Sequence, residues 1–489
     1  MDRKAGPHLS NVRAILPYDR SKVTPGIVHL GVGAFQRAHM AVYVDDVLGR
    51  DSTWGIIGAS LRRPDMRLAL APQDFLYTHA VQDGAGLRTR VIGSLLDVLD
   101  ATTQHARLIS VLIDPRIRIV SLTVTEKGYC HDPATGLLNL KHPDVLHDLT
   151  QREAPVSVPG LVVRALELRR AAGLAPFTVL CCDNLPANGQ TAARVVIGFA
   201  ERCDSKLANY IASKVAFPST MVDRIVPATT DIDRKLVAEA TGMADAWPVV
   251  TEPFSQWVVE DNFPQGRPPL EEAGVQFVSD VRPHELMKLR TLNGSHSILA
   301  YLGYLGGYKY VSEAIANPAF RQLVHDFMTH EVIATLPSGL GDLTIYRDSL
   351  LARFANPALQ HQTWQIAMDG SQKLPQRLLG TIRDRLEKGL PVTRAAFGVA
   401  AWMRYVSGTD EQGEKIDIRD PLATRLTAIA KASGADPQNL VDDLLAVREV
   451  FGEDLPRHES FRAELARHLT SLRQLGARDA ARNLIGAGN

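Results

Sequence analysis

Cysteine is scarce. The 489 residues hold four, Cys130, Cys181, Cys182 and Cys203, two of them adjacent and none in a C-x-x-C pair. That pattern argues against a disulfide framework and against a structural zinc site. Long apolar runs are missing too, and no stretch approaches the ~18 residues of a spanning helix. The charged start Met1-Asp2-Arg3-Lys4 has no apolar segment behind it, unlike a secretory signal. There is no net charge, because 54 Lys+Arg balance 54 Asp+Glu. Nucleic acid and anionic membrane surfaces call for a basic field, so neither is expected as a partner. Gly 36 and Pro 28 are ordinary numbers, which excludes collagen-like and extended disordered designs. Internal repeats are also absent. A cytoplasmic globular protein is expected, with about three folding units at roughly 150 residues each, or two large ones.

What is present is an alternation. Residues 26–30, 54–59, 117–125 and 176–182 are short β-branched or apolar runs of the kind found in strands buried on both faces. Helical periodicity over 38–48 and 161–172 lies between them. Strands alternating with helices predict an α/β Rossmann-like domain with a parallel sheet. After Arg282-Pro283 the β-branched runs nearly vanish. Helical patterns follow over 285–300, 310–332, 346–354, 373–387, 393–406, 421–432, 437–450 and 458–474. We therefore expect an N-terminal domain over 1–280, binding a dinucleotide, and a mostly α-helical C-terminal domain over 281–489 carrying substrate and catalytic residues.

Two segments carry chemistry. Ile27-Val28-His29-Leu30-Gly31-Val32-Gly33 is a strand running into a glycine turn before a helix. Gly31 suits a tight turn, and Gly33 suits close approach of backbone to a pyrophosphate. The third glycine of the dinucleotide fingerprint is replaced by Gln36, so a turn without a ligand stays open on this motif alone. Asp65 follows the second strand and would bind a ribose hydroxyl. Arg62 and Arg63 beside it would suit a 2′-phosphate instead, or simply lie in a solvated loop. The second segment, Met287 to His296, spaces Lys288, Asn293 and His296 at i, i+5 and i+8. At ~100° per residue, Asn293 lies about 140° and His296 about 80° from Lys288. One broad polar face fits, as does a surface lysine with a capping Asn and a core His.

The Lys-x4-Asn-x2-His segment resembles the catalytic segment of the polyol-specific long-chain dehydrogenases, the mannitol dehydrogenase family. The resemblance runs through nearly the whole chain. It includes Gly31 to His39, Thr125-Glu-Lys-Gly-Tyr129, Cys182-Asp-Asn-Leu-Pro-Ala-Asn-Gly189, Met221-Val-Asp-Arg-Ile225 and Asp369-Gly-Ser-Gln-Lys373. Within the family, Lys288–His296, Thr363–Arg377 and Ala401–Tyr405 are most similar to the branch that interconverts D-fructuronate and D-mannonate.

The resemblance implies an NAD(H)-dependent oxidoreductase acting on CH–OH groups, with NADP as the other cofactor weighed. It places Gly31, Gly33, Phe35, Arg37 and Asp65 at the cofactor. It makes Lys288 the general acid/base, with Asn184 and Asn293 as donors to the oxyanion and His296 orienting a substrate hydroxyl. A lysine needs its pKa depressed by burial or a nearby cation for that work. A lysine-based proton route makes a metal unnecessary. Taken alone, Asn184 also fits an Asx-turn.

Lys373 matches the family's substrate-side lysine. Mannitol-oxidising members carry glycine where Lys127 stands, tend to carry uncharged residues where Arg377 and Arg404 stand, and typically have an arginine where this chain has Gln365. Those departures favour a carboxylate-bearing sugar acid over a neutral polyol, although each cation singly also fits a surface charge. Asp223 would support the site from behind or pair structurally with Arg224. Two rival readings are a mannitol-type polyol dehydrogenase and a nicotinamide-binding sensor without catalysis. Ser295 and His296 are immediate neighbours on a helix, which is not the geometry of a nucleophile and its base. Oligomeric state is left open by the sequence.

Overall fold

The computed structural model describes residues 16–486, apart from 85, 133–134 and 359. The chain forms two compact units, one up to Arg282 and one from Pro283 onward. In chain order the strands are β1 Pro25–Leu30, β2 Gly55–Ser60, β3 Tyr77–Asp83, β4 Gly86–Ile92, β5 Leu95–Asp100, β6 Ile119–Leu122, β7 Thr178–Cys181, β8 Thr220–Asp223, β9 Val249–Thr251, β10 Gln256–Glu260 and β11 Gln276–Val278. All lie in the first unit.

The β-branched runs become a five-stranded sheet in the order β5-β2-β1-β6-β7. Every pairing in it is parallel. Both β6 and β7 are wholly buried, because helices cover the two faces of such a sheet. The order reverses between β1 and β6, so the crevice beyond their C-terminal ends is the topological switch point of a Rossmann-like fold. Residues 117–125 extend less far as strand than their β-branched pattern predicts. The strand stops at Leu122, and Thr125 turns left-handed with φ 62 to open the one-turn helix Thr125–Gly128.

The first unit is not purely parallel. β4-β3-β9 and β11-β10-β8 form two three-stranded sheets, each with one antiparallel pair. Along β4 burial alternates over Gly86–Arg90, the pattern of a sheet with one wet face. The helix after the glycine turn begins at Ala34, earlier than residue 38, and breaks at His39 before resuming over Met40–Val47.

The second unit is helical, with no named strand among its described residues. Its central helix, Gly294–Leu305, is buried at every position but Tyr304. A helix apolar all round has to be enclosed, and here Phe320, Phe327, Phe397 and Trp402 belong to the surrounding core. The pattern over 310–332 is not one helix. Asn317 leaves the helical region and caps a new turn through Ala319 N (2.9 Å), followed by Pro318. The last helix, Glu459–Gly486, carries a non-helical Gly476, just beyond the predicted end at 474. No helix among the described residues is long and apolar enough to cross a membrane.

Candidate functional site

In the first unit a cavity of about 430 Å³ lies at the switch point. Gly31, Gly33 and Asp65 line it, together with Arg62, Arg63, Thr123 and Asp144. Gly31 has φ +95, and a Cβ there would stand 2.2 Å from the Thr123 carbonyl oxygen. Only glycine fits such a turn. At Gly33 a Cβ would meet no atom nearer than 3.9 Å, so this stretch of backbone is open to a ligand. Gln36, in the place of the third glycine, is fully buried. A glycine turn open at one end, with an acidic residue in the same cavity, fits a dinucleotide. Gly31→Ala is expected to cost several kcal/mol, since the clash is with backbone and φ is positive. A melting temperature within a degree or two of wild type, with cofactor binding intact, would refute that reading of the turn.

Phe35 and Arg37 are not among the cavity's lining residues. Phe35 stacks on His39 at 4.9 Å. The Arg37 guanidinium is fully buried, donates to the Trp247 carbonyl and sits 5.1 Å over the Tyr77 ring. Burial lowers its pKa to about 10.

The loop after β7 is held by Asp183, whose importance no local spacing signals. It accepts from Val124 N (2.8 Å), Thr125 N (3.2 Å) and the Tyr129 hydroxyl (2.8 Å). Those bonds fix the left-handed turn at Thr125. Asn188 ties the far end of the same loop, with its amide donating to the Asp183 and Thr220 carbonyls. Asn184 and Lys127 are both exposed, on the segments that follow β7 and β6. Parallel strands present their ligands at this edge. Asp223 is buried at the end of β8 opposite Gln256. Arg224 donates to the Ala38 carbonyl (2.8 Å) and the Glu252 carbonyl (3.3 Å) rather than pairing with Asp223.

Spacing gave no metal-ligand pattern, yet folding brings Cys130, His142 and Asp144 together, their ligand-type atoms within 4.8 Å of one another. Asp144 is engaged by Arg62. Burial pushes the Cys130 thiol up to about 12, away from the thiolate that binds metal.

In the second unit Lys288 is buried and ends the helix Arg282–Lys288. The next turn, Leu289–Asn293, is a π-helix, with Gly294 N–H reaching the Leu289 carbonyl five residues back. Residues five apart then lie about one turn apart. The ~140° separation of Lys288 and Asn293 in a regular helix is therefore largely closed.

A second π turn spans Pro375–Leu379, where a proline inside a helix removes a donor and crowds the preceding turn. The two turns approach at Gly294, where a Cβ would stand 3.0 Å from the Arg377 carbonyl. Arg377 Nη1 in turn donates to the Ser297 hydroxyl (3.3 Å) and reaches toward the Asn293 carbonyl (3.5 Å).

His296 packs 4.7 Å from Phe354 and 5.3 Å from His361. Burial, then His361, Arg377, Arg353 and Lys288, hold its pKa well below the usual value. It is neutral at pH 7. Burial, with Lys373 and Arg377, brings His361 to about 4. Lys373 donates to the Met368 carbonyl at 2.5 Å and the Ile366 carbonyl at 3.3 Å. The fold thus gathers Lys288, Arg353, Lys373 and Arg377 around two neutral imidazoles. Arg353 and His361 were not singled out in the sequence, since nothing near them in the chain marks them. Arg404 is engaged elsewhere, donating to the Thr409 (2.6 Å) and Asp410 (3.0 Å) carbonyls of the loop after its helix.

Residues 25–272 match the family described as Mannitol dehydrogenase Rossmann domain, and residues 280–473 match Mannitol dehydrogenase C-terminal domain. The chain belongs to the mannitol dehydrogenase family. As a member it is an oxidoreductase, and its relatives span its length. It is 47% identical to an uncharacterized oxidoreductase of Escherichia coli (strain K12), over 96% of each chain. It is 45% identical to the D-mannonate oxidoreductase of the same organism, over 96% of this chain and 98% of the relative. Among solved structures it is similar to Pseudomonas fluorescens mannitol 2-dehydrogenase in ternary complex with NAD and D-mannitol. There the identity is 40%, the TM-score 0.86, and the coverage 96% of each chain.

Proposed function

We propose that this family member is a cytoplasmic enzyme that reduces a keto-hexuronate to its aldonate with NADH, specifically D-fructuronate to D-mannonate. The observation that carries the reading is the cationic cluster of the second unit. Lys288, Arg353, Lys373 and Arg377 surround histidines that burial keeps neutral. Such a cluster suits a substrate carboxylate, which guanidinium groups bind in forked geometry. The D-mannonate oxidoreductase relative supports the same substrate class.

For the cofactor, the solved relative carries NAD, and Gly31, Gly33 and Asp65 line a cavity at the place where this fold takes a dinucleotide. When bound, the nicotinamide supplies the hydride. Lys288, protonated, gives one proton to the alkoxide oxygen that forms, so an N–H bond breaks as the O–H bond is made. Asn293 donates an amide hydrogen bond to that oxygen while its charge develops, and the family resemblance gives Asn184 the same role. His296, neutral, keeps one donor and one acceptor for a substrate hydroxyl.

The discriminating experiment compares kcat/KM on fructuronate and on fructose. Arg377→Ala is expected to lower the fructuronate value about 10- to 100-fold, the worth of a charge-assisted hydrogen bond, with a much smaller loss on fructose. Lys127→Gly tests the remaining cation in the same way. Equal losses on both ketones remove the carboxylate reading. The mannitol-bound neighbour then favours a neutral polyol as substrate. Binding of NADH with no turnover on any uronate, ketose or polyol would favour a sensor.

A further inference from the structure

The cavity of the first unit contains an ion pair that the chemistry above does not use. Arg62, on the loop after β2, pairs with Asp144 on the helix Pro143–Thr150. Both residues line the cavity, as do Arg63 and Asp65. Two cations and two carboxylates therefore line the same cavity, and their formal charges sum to zero. Cys130, also in the lining, stays a neutral thiol.

The two cofactors differ only at the adenosine ribose. NAD presents a hydroxyl there, which donates to a carboxylate. NADP presents a phosphate of nearly two negative charges, which needs an unpaired guanidinium. Read from sequence, Arg62 would favour NADP and Asp65 would favour NAD. The structure adds a third residue to that conflict, Asp144, 79 positions beyond Asp65 in the chain and paired with Arg62.

We propose that Asp144 sets the preference for NAD over NADP, by holding the Arg62 guanidinium in an ion pair so that it is not available to a 2′-phosphate. This rests on the reading that the cavity takes the adenosine end of the cofactor. The Asp144 side chain is 17% exposed and that of Arg62 66%. A pair so open to water adds little to folding stability, so its consequence lies in the charge and position it imposes on the cavity wall. The Asp144 backbone is anchored independently of Arg62, because its N–H donates to the Nδ1 of the helix-capping His142 at 3.2 Å. Arg62 reaches it on a longer and more exposed side chain.

The test is direct titration of NADH and NADPH by fluorescence, which requires no substrate. The proteins are wild type, Asp144→Asn, Arg62→Ala and the double variant. Asp144→Ser serves as a second replacement that keeps a hydrogen-bonding group in the first turn of the helix. Releasing Arg62 is expected to move the ratio of the two dissociation constants at least about tenfold toward NADPH. Removing Arg62 as well is expected to return the ratio to its wild-type value. An unchanged ratio in both Asp144 variants overturns the proposal, as does a gain that persists in the double variant.

Asp65→Ala separates the two ways of failing. If it weakens NADH binding while the Asp144 variants leave the ratio alone, the cavity holds the cofactor and the clamp is wrong. If none of these substitutions moves either constant, the cavity reading itself is wrong.

Discussion

Lys288→Ala is expected to lower turnover about 10²- to 10⁴-fold, the usual worth of a positioned proton donor, while NADH still binds. The expectation follows from where the amine sits. Lys288 is buried, only 6% exposed, and it stands at the junction of a regular helix with a π turn that carries Asn293 onto its side. Arg377, Arg353 and Lys288 all act on the buried His296, so the lysine shares its surroundings with two guanidinium groups. Lys288→Arg is the sharper variant. It keeps a cation but cannot release its proton near neutral pH, so turnover should fall nearly as far as with alanine. Near-wild-type rates in either variant would sink the assignment of the proton to this residue. The measurement is NADH oxidation followed optically, with cofactor affinity titrated separately.

The main sheet was legible because β-branched residues in short runs have few other uses. Val28, Leu30, Val120 and Val179 on one face and Ile27, Ile119 and Leu180 on the other are all buried, so the runs are continuous and easy to read. The two small sheets were hidden for the opposite reason. Strand β3 is Tyr-Thr-His-Ala-Val-Gln-Asp and β4 is Gly-Leu-Arg-Thr-Arg-Val-Ile. Half of those side chains are polar, and the pairing that makes them strands comes from partners as distant as β9.

The candidate site divides along the same line. The glycine turn and the Lys288–His296 segment announce themselves because their spacing is local. Arg353 and His361 reach His296 from other elements, so no window of sequence contains the cluster. Arg404 looks, in sequence, like a cation available to a ligand. It donates instead to backbone carbonyls of the loop that follows its helix, Thr409 and Asp410. The π turn at Leu289–Asn293 leaves no mark in the local spacing, so an ideal pitch misplaced Asn293 by a large angle.

Acid should destabilise the first unit well before its carboxylates titrate, and His29 should account for much of the effect. His29 is fully buried in β1. Thr123 Oγ1 donates its own hydrogen to the Gly31 carbonyl (2.8 Å), which leaves it to accept from His29 Nε2 (2.8 Å). Nε2 therefore carries the proton, and Nδ1 accepts from the Ser121 hydroxyl (2.8 Å). Both ring nitrogens are satisfied in the neutral form, and burial lowers the pKa to about 3. In the unfolded chain the ordinary value is about 6.5. Between those values the unfolded state binds more protons than the folded one, so stability falls as pH falls. The contribution is whole above about pH 6.5 and is lost on the way down toward pH 3, at roughly 1.4 kcal/mol per pH unit inside the window.

His79, buried beside Thr251 at 3.0 Å, is also held well below its usual value and adds to the slope. Asp45 and Asp183 oppose it, since burial raises their pKa and makes the folded state the better proton binder just above the ordinary carboxylate range. A single substitution isolates the histidine. His29→Gln keeps a donor and an acceptor near Ser121 and Thr123 but cannot titrate. Urea unfolding at about pH 7.5, 6 and 5 should show a slope of stability against pH lower by nearly one proton in the variant. Identical slopes would mean that His29 is not the titrating group. Because Thr123 bridges His29 to the Gly31 turn, the same protonation should loosen the glycine turn, and NADH affinity should decline over the same pH range in wild type but less in His29→Gln.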